Sequence, residues 1–271
     1  MIESPDHALR LNLRSLERPG PGEDYWRILY RRTEWVPSRT AVVICDMWDK
    51  HWCKSATARI AEMAPHMNMV VSELRRRGVL IIHCPSETME YYQGTPGRTL
   101  AQAAPRVEPK VPILVWCGLD ANRESSLPIA DSDGGCDDKP QCRAKLLWQR
   151  EIDSIEIKEG DAVADNSEAY NLMRQRGITN VIVMGVHLNL CVLCRPFAIR
   201  QLVGQGQNVV LMRDLTDGLY NSQRKPSVDQ FTANDLMIWH IEKYWCPSIT
   251  SNQIIGGRPF QFAAERTCGR A

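Results

Sequence analysis

Three residues that together could carry out acyl transfer stand at the ends of apolar runs far apart in this chain. Asp46 closes "TAVVICDM" (40–47), Lys158 closes "SIEIK" (154–158), and Cys191 follows "NVIVMGV" (180–186) where a helical pattern begins. A cysteine attacks as its thiolate, and near its ordinary pKa of about 8.5 it is mostly protonated at neutral pH. A helix N-terminus and a neighbouring ammonium both favour the thiolate, while a carboxylate can accept the proton and return it to a leaving amine. The set points to attack on a carbonyl and a thioester intermediate. Taken singly, each residue is ordinary: a cysteine after a buried strand usually packs, a strand-end aspartate forms turns, and a lysine is solvated. The chemistry requires a fold that brings all three to one edge.

The hydrophobic pattern supplies such a fold. "TAVVIC", "VLIIHC" (79–84), "SIEIK", "NVIVMGV" and "NVVLMRDL" (208–215) read as strands. Between them, residues 55–77 carry Ile60, Met63, Met67, Val70, Val71 and Leu74 at helical spacing, with Gly78 as the stop. Further helices are expected over 167–176, 191–204, with Pro196 in its first turns, and 227–244. Strands alternating with helices predict an α/β, doubly wound, mainly parallel sheet with helices on both faces, where ligands bind at the carboxyl ends of the strands. Asp46, Lys158 and Cys191 are all expected at that edge. Residues 1–37 form an N-terminal extension, with "LRLNLRSL" and "YWRILYRR" as a candidate edge hairpin; 38–250 form the main domain and 251–271 a tail. The proline-rich stretch before residue 150 reads as loops, with 118–147 as a surface insertion.

Composition excludes other classes. The 271 residues are 44% hydrophobic, enough for a large core, and 33 basic against 32 acidic residues give a net charge of +1. No basic stripe with interleaved aromatics suggests a nucleic-acid partner, and no apolar run approaches the roughly 20 residues of a membrane span. "MIESPDHALRLNLRS" lacks the apolar core of a signal peptide, and ten scattered cysteines read as a reducing, cytoplasmic setting. Cys136 and Cys142, on the polar "DGGCDDKPQCRAK", are the pair that oxidant could join.

The segments "AVVICDMWDKHW", "IEIKEGDAVADNSEAYNLMRQRGITNVIVMGVHLNLCV" and "VVLMRDLTDG", in this order, resemble the isochorismatase-like cysteine hydrolases, the superfamily of nicotinamidases, N-carbamoylsarcosine amidases and ureidoacrylate or biuret hydrolases. The 33-residue step from Lys158 to Cys191 is similar to the family's usual gap. The resemblance implies a six-stranded Rossmann-like sheet and an Asp46–Lys158–Cys191 triad. It also implies a cis peptide at the His187–Leu188 bond, aiming backbone N–H groups, including that of Cys191, at an oxyanion. The implied reaction is hydrolysis of a C–N bond in a small amide, carbamoyl or ureido compound, by a homodimer or homotetramer. His187 and Leu188 depart from the small residue and threonine of many members. Cys191 counts against the namesake vinyl-ether chemistry, whose practitioners resemble this chain but lack the thiol.

Other readings are a redox pair in Cys191-Val-Leu-Cys194, and a member that binds without catalysis. Nicotinamidase-like members carry Asp and His metal ligands after the second strand. Here "HCPSETMEYYQGT" offers His83, Glu87 and Glu90 but no Asp-x-His, with His51 nearby, so no metal and no cofactor is expected. Trp48, Trp52 and Trp116 are candidate pocket walls, with Tyr91 and Tyr92 beside them, and Arg195 is a candidate for a substrate carboxylate.

Overall fold

The computed structural model describes residues 8–20, 22–130 and 132–267; residues 1–7 of the stretch read for a leader and 268–271 of the tail lie outside the described residues. β1 (Leu9–Glu17) and β2 (Arg27–Trp35) form the expected edge hairpin, with Leu9 opposite Trp35 and Glu17 opposite Arg27. The chain then alternates: β3 (Thr40–Cys45), α1 (Lys54–Arg76), β4 (Leu80–Cys84), α2 (Pro96–Gln102), β5 (Ala162–Val163), α3 (Glu168–Gln175) and β6 (Asn180–Val186). It continues through α4 (Cys191–Cys194), α5 (Ile199–Gly204), β7 (Asn208–Asp217), α6 (Gln230–Tyr244), β8 (Ser248–Ile249), α7 (Asn252–Ile255) and α8 (Ala263–Thr267).

The sheet order is β2-β1-β8-β7-β6-β3-β4-β5. Its six strands from β5 to β8 are all parallel, as expected, and the hairpin adds two more by antiparallel pairing of β1 with β8, making eight. Side chains alternate between two cores. Val42 and Ile44 of β3 and Ile182, Met184 and Val186 of β6 face Ile60, Met63, Met67 and Val71 of α1. Ala41, Val43, Val181 and Val183 face the opposite layer, with Leu172, Leu202 and Met237 of α3, α5 and α6. Among the described residues, no helix is long and apolar enough to cross a membrane.

Three local expectations are corrected. The 191–204 segment is two short helices, because a residue before proline is pushed out of the helical region: Arg195, preceding Pro196, is extended at φ −64°, ψ 158°. Pro96–Gln102, placed among loops, is a helix with Thr95 Oγ1 accepting from Arg98 N–H and Pro96 in the first turn, where a missing N–H costs nothing. "SIEIK" is not a strand. Residues 154–158 precede β5, and Lys158 donates its backbone N–H to Asp161 Oδ2 at 2.7 Å.

The reason lies in a buried ion cluster. His83, inside β4, meets Glu151 Oε2 at 2.7 Å and Asp161 Oδ2 at 3.4 Å, and Arg75 at the end of α1 holds Asp161 at 2.7 Å. These contacts tie Glu151 and Asp161 to the same imidazole, and the strand begins only at Ala162. Burial opposes a charged imidazole, but Glu151 and Asp161 outweigh it and raise the His83 pKa to about 9. That stabilisation, about 3 kcal/mol, is complete below about pH 6.5 and is lost as the pH rises through about 9. The melting-temperature gap between the natural chain and His83→Gln should therefore be wide near pH 6 and narrow above about pH 9. A gap constant across that range would mean that His83 is not held charged.

Candidate active site

β3 and β6 lie side by side at the centre of the sheet, so the residues that follow them meet at its carboxyl edge. Asp46, fully buried with φ +49°, accepts from Ser86 N–H and Ser86 Oγ–H through Oδ1 at 2.7 and 2.6 Å. Its other oxygen, Oδ2, faces Arg195 Nε at 3.4 Å. Cys191, 6% exposed, lies against the same carboxylate, and each governs the other's ionisation. Gly185 makes the approach possible: its φ is +115°, and a Cβ there would stand 2.1 Å from the Cys45 carbonyl oxygen.

The charges are arranged around one pair. At 3.4 Å and an effective dielectric near 20, an ion pair is worth about 5 kcal/mol. Burial still exceeds what Arg195, Cys191 and Ser86 return to Asp46, whose pKa is lifted to about 6. Burial and the Asp46 charge raise the Cys191 thiol well above its ordinary value, while Arg195 works against them. At neutral pH the site therefore holds a carboxylate and a thiol. This corrects the expectation of a thiolate favoured by a long helix, since α4 is only four residues. Arg195 also pairs with Glu87 at 3.2 Å and lies 5.7 Å from the Trp116 ring.

Lys158 is elsewhere. It lies before β5, not at the end of a strand, and its Nζ pairs with Glu156 at 3.2 Å on an exposed surface. The cation beside Asp46 and Cys191 is Arg195, four residues after the cysteine. The signal for it was the Arg-Pro step, which ends α4 and turns Arg195 out of the helix. The cis bond is also one residue earlier than expected, at Val186–His187. The Leu188 N–H is already given to the Asp217 carbonyl at 2.9 Å, whereas the Cys191 N–H has no acceptor among the described residues.

The aromatic residues separate into groups. Residues 148–152 run antiparallel to 47–49, with Asp49 N–H on Arg150 O and Ile152 N–H on Met47 O, which stacks Trp148 on Trp48 at 4.3 Å. His51 stacks near Trp148 at 5.7 Å and meets His187 edge-on at 4.8 Å. Burial and Arg59 lower the His51 pKa to about 4, and burial with His51 holds His187 well below its ordinary value, so both rings are neutral. His51 Nδ1 accepts from Cys53 N–H, and neither His187 ring nitrogen makes a well-formed hydrogen bond. Trp52 packs with the insertion, not with Trp48. Tyr92 OH accepts from Glu151 N–H, while Tyr91 is exposed. Cys194 turns away from Cys191 towards Arg200 Nη1 at 3.0 Å, and Cys136 and Cys142 are free thiols.

No protein-family model matches the chain, and no curated protein matches its sequence. Among solved structures it is similar to a cysteine hydrolase from Pseudomonas syringae pv. phaseolicola 1448A, with a TM-score of 0.50 at 14% identity over 82% of this chain and 93% of that one. An isochorismatase from Pseudomonas putida KT2440 matches with a TM-score of 0.49 at 12% identity over 80% of this chain and 91% of that one. At such identities the likeness is one of architecture: the chain has the fold of the isochorismatase-like cysteine hydrolases.

Proposed function

We propose that the chain hydrolyses a C–N bond in a small amide, carbamoyl or ureido compound through a thioester on Cys191. The observation that carries this reading is that one buried carboxylate and one buried thiol meet one partly buried guanidinium at the carboxyl edge of the sheet. Nothing about binding alone calls for that set. Asp46 takes the thiol proton as sulfur bonds to the carbonyl carbon. The negative charge passes from Asp46 to sulfur and then to the carbonyl oxygen, with Arg195 beside it and the Cys191 N–H available to the oxyanion. As the C–N bond breaks, Asp46 gives its proton to the departing nitrogen. Water then attacks the thioester, Asp46 takes the water proton, and the acid leaves as the thiol re-forms. The neutral rings of His51 and His187, beside the Trp48–Trp148 stack, suit a planar uncharged group better than an anion.

Ammonia release from a panel of primary amides and ureides is the direct test. With an active substrate in hand, Cys191→Ala and Asp46→Asn should each lower turnover on the order of 10³-fold. Arg195→Ala should lower it about 10²-fold, and Lys158→Ala should leave it unchanged. Equal losses in the Lys158 and Arg195 variants would sink the assignment of the cation.

The pH profile supplies a second test. Asp46 must be ionised to act as a base, so kcat/KM should rise with pH through an apparent pKa of about 6. Arg195 favours the carboxylate, so its removal should move that limb to higher pH. An acid limb that stays in place in Arg195→Ala would detach it from Asp46.

A further inference from the structure

A second cluster of reactive side chains lies where the 118–147 insertion meets the start of α1. Cys53, just before that helix, and Cys136 and Cys142 of the insertion all turn their sulfurs towards one atom, Asp138 Oδ2, at 3.4, 3.3 and 3.3 Å. The Cys53 and Cys136 sulfurs and the Asp138 carboxylate lie within 4.8 Å of one another. The N–H groups of Lys54 and Ser55 reach the same oxygen at 2.9 and 3.2 Å. Five donors thus face one carboxylate oxygen, more than its lone pairs can serve, and thiols are weak donors. Capping of α1 explains Asp138 and the two amides. It does not explain why Cys53 and the two cysteines that flank Asp138 all turn to the same oxygen.

A tetrahedral thiolate metal site does. Zinc binds sulfur at about 2.3 Å, which sets neighbouring sulfurs about 3.8 Å apart; the Cys53 and Cys136 sulfurs already lie within 4.8 Å of each other, and Cys142, which reaches Asp138 but stands outside that group, moves in to complete the set. We propose that Cys53, Cys136, Cys142 and Asp138 form a structural zinc site that fastens the insertion to the N-terminus of α1. On binding, three S–H bonds give their protons to solvent, three Zn–S bonds form, and the Asp138 oxygen supplies the fourth ligand. Soft thiolates select zinc over magnesium or calcium, and four protein ligands leave no open position for catalysis. The ligand set is more negative than the ion is positive. The positive end of the 23-residue α1 offsets part of that excess, while the Arg59 guanidinium is shared between Asp217 at 2.7 Å and Asp137 at 3.4 Å. Ala56, Leu219 and Trp52 pack around the cluster and limit its contact with water.

The test is metal content of the full chain, produced with zinc in the medium and purified under reductant, measured by elemental mass spectrometry. About one zinc per chain is expected, falling by at least about tenfold in Cys53→Ser and Cys142→Ser. Cys142 is the half-exposed member, so its variant tests the site even where Cys53→Ser fails to fold. Cobalt(II) added to the metal-stripped chain should give thiolate-to-cobalt charge-transfer absorption, weakened in Cys142→Ser. The proposal is overturned if the reduced wild-type chain neither holds zinc nor develops that absorption. It is equally overturned if zinc content is undiminished in both variants, or if peptide mapping finds two of the three cysteines joined as a disulfide in the zinc-grown protein.

Discussion

A carboxylate taken wholly out of water is the constraint around which this molecule's central edge is arranged. Asp46 follows a strand whose six residues are all fully buried, and its charge is unstable there without compensation. Ser86, on the turn after β4, supplies two donors to one oxygen, and Arg195 supplies a cation to the other. The compensation is incomplete, since Asp46 remains a weaker acid than usual. That incompleteness suits a base that must accept a proton and give it back. In the proposed reaction one negative charge moves among neighbouring atoms beside a fixed guanidinium, so little in the surroundings has to reorganise.

The sheet and the insertion divide the work of holding this edge. The parallel strands fix where Asp46 and Cys191 lie relative to each other, because β3 and β6 are neighbours in continuous register from Thr40–Asn180 to Cys45–Gly185. The insertion covers the edge and is tied down at several points. Buried Glu124 takes Arg200 at 2.7 Å, His240 at 2.7 Å and Trp245 at 2.8 Å, joining the insertion to α5 and α6. At its far end the 148–152 segment pairs with the residues after Asp46. A long stretch without regular structure is thus held by buried polar contacts instead of a backbone ladder.

Legibility in the sequence followed interaction range. β3 and β6 were readable because uninterrupted apolar runs leave few alternatives, and with them came the placement of Asp46 and Cys191 on one edge. At Lys158 the sequence misleads, because Ile155 and Ile157 alternate with polar residues as a strand does. What prevents a strand is the attraction of Glu151 and Asp161 to His83, a partner 68 and 78 residues away. Arg195 is visible in the sequence as a residue near Cys191, but its direction depends on Pro196, which ends the helix and turns the arginine out of it. Of the thiol cluster, Cys136 and Cys142 are legible as neighbours on one polar loop, but Cys53 is not, since it lies 85 residues from Asp138 and no local pattern joins them.

Arg195 and Cys191 are also joined directly, since the Arg195 N–H donates to the Cys191 carbonyl at 3.0 Å across a single turn. A thiol and a cation carried by separate strands would shift relative to each other whenever the sheet breathes. On one turn their backbones are held together, and the β3–β6 ladder sets the one remaining separation, that between this turn and Asp46.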